Sequence, residues 1–345
     1  MREEPKYNKG LHRFTVFSAV STFLLIVAGG MVTSTGSGLA VPDWPLSYGQ
    51  VMPPMVGGIF YEHGHRMIAS FVGLLTVILA IWLWRRESRG WVRQLGFAAL
   101  AAVIVQGVLG GLTVLYLLPT PISVSHAALA QTFFCVMASL ALFTSRWWHT
   151  EHPIAPRSRG VSLLTAAGTL TVAIYVQLIL GAVMRHTQSG LAVPDFPLAY
   201  GSVFPPLDAH AMNQYNDELF RANVRIFADG PITAGQITIH LLHRYWAIVV
   251  LGLSAWTILK TFRSGIDNPR LRVLGLVLLI FMGVQVTVGA LTVLLRKDAW
   301  LTTAHVANGA FLLCLSVLLV LHAARLYRFS WISETVRISQ AEAIA

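Results

Sequence analysis

Charge is what this chain has least of. Only 12% of its residues are Asp, Glu, Lys or Arg, against about 25% in an ordinary soluble domain, so a solvated globular surface is excluded. Cysteine is also scarce. The two present, Cys135 and Cys314, both fall in apolar stretches, which points to buried structural thiols and not to a disulfide framework or a thiolate metal cluster. Acidic residues number 15 against 25 basic ones. That imbalance raises the question of nucleic acid, which the placement of the cations answers.

What fills the chain instead is hydrocarbon: 55% of residues are hydrophobic. They gather in eight runs, near residues 14–32, 63–84, 92–116, 122–145, 160–184, 236–259, 270–295 and 300–325. Each has about the length a helix needs to cross roughly 30 Å of hydrocarbon. The first run follows "MREEPKYNKGLHR" and lacks a small-residue cleavage site, so it reads as a retained helix and not as a signal or transit peptide. With the N-terminus inside, the inner segments hold eighteen of the Lys and Arg residues and the outer ones five. The excess positive charge is a topology signal that sets both termini in the cytoplasm, and it leaves no nucleic-acid partner to explain.

The chain also repeats itself. "LAVPDWPLSYG" at 39–49 returns as "LAVPDFPLAYG" at 191–201, "VQGVLGGLTVL" at 105–115 as "VQVTVGALTVL" at 284–294, and "SHAALAQTFFC" at 125–135 as "AHVANGAFLLC" at 304–314. The offset is 152 through the loop and 178–179 beyond it, so the second copy carries an outer insertion, about 205–235. Four helices per copy return the chain to its starting side, which gives both copies the same orientation. The predicted fold is an all-α polytopic membrane protein of eight transmembrane helices in two parallel-oriented four-helix-bundle repeats, residues 1–150 and 151–345.

Each copy carries two histidines at matched depth, one on its second helix and one on its fourth: His65 and His126, then His243 and His305. Ionisable groups inside a membrane are costly and usually functional. A pair of imidazoles facing across a bundle, with apolar walls and no thiolates, suits haem. A zinc site needs a third or fourth ligand, for which the first copy offers only His63 and Glu62. Arg66 and Arg244 directly follow two of the histidines; they pair with haem propionates or snorkel to headgroups. The small residues of "VAGG", "QGVLGGLT" and "MGVQVTVGALT" admit a flat macrocycle or a neighbouring backbone. In the repeated loops Trp44 and Phe196 are candidate lids over the two pockets, or simple interfacial anchors.

"GSGLAVPDWPL", "EHGHR" at 62–66, "SHAALAQ" at 125–131, "HLLHR" at 240–244 and "AHVANG" at 304–309 together resemble the haem A synthase family, and the resemblance spans the whole chain. It implies an oxidoreductase of the bacterial cytoplasmic membrane that converts the C8 methyl of haem O to a formyl group by successive hydroxylations and dehydration of the gem-diol. It implies His65 and His126 as ligands of the substrate haem, Glu62 as the catalytic carboxylate, and His243 and His305 as ligands of a cofactor haem B. It also implies a haem O synthase as supplier and a quinone or other redox partner. The chain departs from many bacterial members in one respect: Val41 and Ser47 stand where those carry a loop cysteine pair, and Val193 and Ala199 occupy the second copy. A bis-histidine di-haem cytochrome is the competing reading. It calls for two equivalent sites, whereas Glu62 in the first copy is matched by His240 in the second. A transporter calls for helices broken at mid-membrane, and neither copy has Gly/Pro interruptions there. Reporter fusions should place residue 215 outside and segments 85–93, 146–159 and 260–272 inside; a cytoplasmic reporter at 215 would overturn the charge argument.

Overall fold

The structure, a computed structural model, describes residues 7–151, 157–224, 230–263 and 268–327, with side chains from 163 onward in the helix that begins at Arg157. The two chain ends, with Arg2, Lys6, Arg328 and Arg337, lie outside the described residues, as do Arg225 and part of the insertion.

Ten α-helices are found among the described residues: α1 (Lys9–Ser34), α2 (Gly57–Arg86), α3 (Gly90–Leu115), α4 (Thr120–Phe143), the short α5 (Arg146–Thr150), α6 (Arg157–His186), α7 (Ala209–Arg221), α8 (Ala234–Arg263), α9 (Pro269–Leu294) and α10 (Ala299–Leu326). All but α5 and α7 are long and apolar enough to cross a membrane, which gives the eight spans expected. Local chemistry sets their starts. Asn8, Asn268 and Asp298 cap α1, α9 and α10 with side-chain oxygens that accept from backbone N–H groups of the first turn, donors the helix itself leaves free. Proline lies in the first turn of α4 and of α9, where its missing N–H costs nothing. Large apolar side chains such as Leu24, Leu74, Ile104 and Ile248 are more than half exposed. An apolar surface of this extent needs lipid around it.

The helices close two rings. In the N-terminal half α1 packs on α2 and α4, and α3 on the same two; in the C-terminal half α6 packs on α8 and α10, and α9 on the same two. Leu79, Leu83, Met137 and Leu140 fill the first ring, and Leu163, Leu170, Leu271 and Leu319 the second. The halves meet through α1–α10, α4–α6 and α4–α10, a set that maps onto itself when the halves are exchanged. Lipid gives helices no hydrophobic reason to associate, so close approach at small residues carries the packing. A Cβ on Gly30 would stand 3.1 Å from Thr303 Cγ2 across this interface, and the Thr303 hydroxyl donates to Ser34 Oγ at 3.1 Å.

The insertion contains α7, capped by Asp208, which accepts from the backbone N–H groups of His210 and Ala211. Its apolar face, Ala211, Tyr215 and Leu219, packs on Val193, Ala199 and Ile237. Tyr215 stacks on Tyr200 at 3.7 Å. The polar stretch that the sequence left without a role is thus a cover on the second repeated loop.

Cys135 and Cys314 approach one another across the α4–α10 contact, as equivalent residues do near the axis that exchanges the halves. Both are free thiols. Replacing both with alanine should leave haem content and turnover unchanged; loss of turnover at constant haem content would reveal a redox role.

Candidate functional site

The four histidines sit in four versions of one seat. A Cβ on Gly29 of α1 would stand 3.0 Å from His65 Cε1; on Gly110 of α3, 3.2 Å from His126 Cε1; on Gly181 of α6, 3.1 Å from His243 Cε1; and on Gly289 of α9, 2.8 Å from His305 Cε1. At Gly289 a Cβ would be closer than real Cβ atoms come, and at the other three a ring would have to give way by a few tenths of an ångström, so each imidazole lies flush on helix backbone left open by glycine. The glycines of the sequence motifs therefore receive the histidine rings. Gly181, in "LILGAVM", completes a set the motifs had shown only in part.

A second residue belongs to three of these seats. Gln106, Gln177 and Gln285 each lie four positions before the seating glycine, one turn along the same helix face. Gln106 donates to the His126 carbonyl at 2.9 Å and Gln177 to the His243 carbonyl at 3.0 Å. Gln285 lies 3.5 Å from His305 Nε2, its own oxygen held by Asn308 at 2.7 Å. The fourth seat has Leu25 in this place. The threefold Gln-x-x-x-Gly is a signal the sequence carries, but a lone glutamine in an apolar helix gains meaning only once the facing histidine is known.

These seats fit haem. His65, His126 and His305 each bury an Nδ1 with no hydrogen-bond partner, a costly state for a polar atom that lacks a ligand. The His243 and His305 rings are 6.4 Å apart between centroids. A metal–imidazole nitrogen bond is about 2.0–2.1 Å, so one ion between the rings can reach a nitrogen of each. Among the described residues no three His, Cys, Asp or Glu side chains converge on one point. Each pair therefore offers two ligands, the number an iron already held by four macrocycle nitrogens requires.

Above each pair lies a repeated loop whose two copies fold alike. Asp43 accepts from the N–H groups of Tyr48 at 2.7 Å and Gly49 at 2.8 Å, and Asp195 from Tyr200 at 2.9 Å and Gly201 at 3.1 Å. The Gly49 and Tyr48 N–H groups hold the Asp43 carboxyl below the usual carboxylate range. The Tyr48 and Tyr200 hydroxyls donate to Ala40 and Ala192 carbonyls, each at 2.7 Å. Trp44–Pro45 and Phe196–Pro197 are both cis.

Arginine clasps each loop to its helix. Arg66 donates to the carbonyls of Val41, Asp43 and Leu46 at 3.2, 2.7 and 2.9 Å. Arg244 donates to those of Val193, Asp195 and Leu198 at 3.1, 2.7 and 2.9 Å. Both guanidiniums are engaged with loop backbone, the role the sequence left open between propionates and headgroups. Glu62 backs Arg66 with an ion pair at 2.6 Å and accepts from the Val41 N–H at 2.8 Å. His240 does only the first of these jobs in the second copy: its Nε2 accepts from Arg244 at 2.9 Å, while its Nδ1 donates to the Ser189 carbonyl at 2.9 Å instead of accepting from a loop N–H. Acceptance at Nε2 leaves the proton on Nδ1, so an imidazole with one donor and one acceptor stands where the first copy has a carboxylate.

Trp44 lies against α3, where a Cβ on Gly111 would come within 2.6 Å of the indole, one residue from the His126 seat. Phe196 lies under the Arg244 guanidinium at 5.7 Å. Ser47 and His63 are joined at 2.8 Å, so the first loop is tied down by a hydrogen bond at a position where cysteine is absent.

The sequence profile of the COX15-CtaA family, described as cytochrome oxidase assembly protein, matches residues 12–58 and 56–317. The chain is 32% identical over 267 residues to the Heme A synthase of Shouchella clausii, covering 74% of this chain and 79% of that protein. It is 30% identical over 342 residues to that of Beijerinckia indica, 87% and 89%, and 25% identical over 312 residues to that of Geobacillus kaustophilus, 89% and 88%. Eight spans, two paired-histidine seats and a profile match over most of the length agree: the chain belongs to the COX15-CtaA family of cytochrome oxidase assembly proteins.

Proposed function

We propose that the chain is an oxidoreductase of haem A biosynthesis that oxidises the C8 methyl of haem O to a formyl group. His65 and His126 hold the substrate haem in the N-terminal unit, residues 1–150. His243 and His305 hold a resident haem B in the C-terminal unit, residues 151–345. The observation that carries this reading is a difference within a match: two histidine seats and two clasped loops share one frame, yet the arginine of the clasp is backed by a carboxylate in one unit, Glu62, and by an imidazole in the other, His240. A symmetric di-haem cytochrome has no use for that difference. The resident haem supplies a redox centre able to take up and pass on electrons.

The chain's own residues do the rest. The glycine seats orient the imidazoles. The clasped loops cover the loop end of each bundle, with Trp44 beside His126 as lid. Glu62 lies three residues before His65, on the same helix face, and is buried. Methyl oxidation releases protons as well as electrons, and a positioned carboxylate can take them up. The positive-inside pattern sets the loop end outward and both termini in the cytoplasm. The substrate comes from a haem O synthase, and the electrons pass to a quinone or another carrier.

His243→Ala and His305→Ala should each strip most of the haem B, and the purified wild type should show a low-spin six-coordinate ferrous spectrum. Full low-spin haem B in either variant would refute the ligand assignment.

Glu62→Gln keeps an acceptor for the Val41 N–H and removes the charge. It should retain haem B and lower formyl product by about 100-fold or more, while His240→Gln still makes haem A. Equal losses in both variants, measured by mass of extracted haem, would return the symmetric cytochrome reading.

A further inference from the structure

Around their histidine pairs the two units share one frame, and two of the positions at which they differ lie near one another. One turn beyond the His243 seat at Gly181 stands Arg185. The matching residue beyond Gly29 is Thr33, whose hydroxyl turns back to the Gly30 carbonyl at 2.9 Å.

The second position is the turn that leaves the helix carrying the other seat. Both units make it with two successive left-handed residues, Leu117 and Leu118 at φ 57° and 60°, Arg296 and Lys297 at φ 54° and 63°. Both close it with one bond of 2.7 Å, from Leu118 N to Thr113 O and from Lys297 N to Thr292 O. Both lay the second side chain on a loop glycine: Leu118 Cδ1 is 3.3 Å from where a Cβ on Gly38 would stand, and Lys297 Cδ is 3.5 Å from the same point on Gly190. Left-handed non-glycine residues are uncommon, so this frame is held by its surroundings and not by the identity of its residue. Within it, leucine has become lysine.

The Lys297 side chain lies on Gly190, five residues past Arg185. Burial, and then the charge of Arg185 nearby, push the Lys297 ammonium down to about 8. The ion pairs found among the described residues are Arg66–Glu62 and Arg89–Glu87, so neither Arg185 nor Lys297 has a carboxylate partner there. Two half-buried cations side by side are unfavourable without an anion to share. Arg185 lies on the helix face of Gly181, against which the His243 ring packs, so the cations stand at the loop end of the His243–His305 pair. Arg66 and Arg244, the other cations near the histidines, are committed to loop carbonyls.

We propose that Arg185 and Lys297 bind the two propionate carboxylates of the haem in the C-terminal unit, and that the N-terminal unit, with Thr33 and Leu118 in their places, holds its haem without such a pair. This rests on the reading of the C-terminal unit as a haem site. One unit is then built for retention and the other for exchange, as a resident cofactor and a substrate that must leave as product require. The same cations would also suit the phosphate of a lipid headgroup, and the experiment separates the two sources.

The test uses the full chain, haem-loaded, in nanodiscs of neutral phosphatidylcholine and in discs containing phosphatidylglycerol. Transfer of haem B to excess apomyoglobin is followed by absorbance. The variant is Arg185→Thr with Lys297→Leu, residues that the other unit carries in the same frame. It should release haem B about 100-fold faster than wild type in both lipids, tenfold per carboxylate contact at about 1.4 kcal/mol each. Lys297→Arg should release it as wild type does. Wild type loaded with the haem B dimethyl ester should match the double variant. The reciprocal Thr33→Arg with Leu118→Lys should slow release from the N-terminal unit. Equal release from wild type and double variant would overturn the proposal, and so would an effect confined to phosphatidylglycerol discs, which would assign the pair to lipid phosphate. A wild type that takes up no haem would overturn the haem reading itself.

Discussion

An imidazole inside a hydrocarbon layer must be given room, orientation and a partner at once, and everything near the middle of this molecule follows from how that is met. Room comes from glycine: four rings lie on four stretches of bare helix backbone, at Gly29, Gly110, Gly181 and Gly289. Because each seat and its ring belong to neighbouring helices of one ring of four, seating the histidines also fixes which helices must touch. Helix packing and ligand placement are therefore one problem in this fold, solved by the same four contacts. In a membrane, where small residues set how near two helices come, this economy has a cost in tolerance, since a side chain added at a seat presses on a ligand ring and on a helix contact at once.

The loop end is held by a different principle. Backbone carbonyls turned away from secondary structure need donors, and a guanidinium offers five in a rigid fork. Arg66 and Arg244 each spend theirs on three carbonyls of one loop. The residue one turn earlier then settles the charge. Glu62 makes the first clasp an ion pair, and His240 makes the second a hydrogen bond that leaves the guanidinium charge without a carboxylate. Lys297 and Arg185 add a second difference of charge in the same sense, each making the C-terminal unit more positive than the N-terminal one. The frame is duplicated, and the electrostatics are not.

Much of this was legible in the chain. The eight spans follow from apolar run length, a one-dimensional signal. The doubled architecture follows from self-similarity, which survives because both copies keep the residues that shape loop and seat. The four histidines stood out because polar groups are rare in such runs. Contacts were less visible. The glutamines four residues before each of three seating glycines look like ordinary polar residues until the facing helix is known. Arg66 reads equally well as a cation for an anion, for water or for a carbonyl, and only the path of residues 41–46 decides. Arg185 and Lys297 are far apart in sequence, and their nearness depends on the α6–α8–α9 arrangement. Helix α7 hid in a polar insertion because its apolar face, Ala211, Tyr215 and Leu219, is a single short stripe.

Toward the loop, each arginine clasp is made chiefly to main-chain oxygens, three per guanidinium, and that has a historical corollary. A fastener that grips the course of the chain, and not its side groups, leaves those side groups free to drift after a gene doubles. One copy carries Ser47 and Trp44 where the other carries Ala199 and Phe196, and the clasp to the loop carbonyls is the same in both. Two copies that began alike could thus specialise at their mouths while inheriting one unaltered hinge of backbone, and selection for a new occupant needed to act on only a handful of positions in a shape already secured.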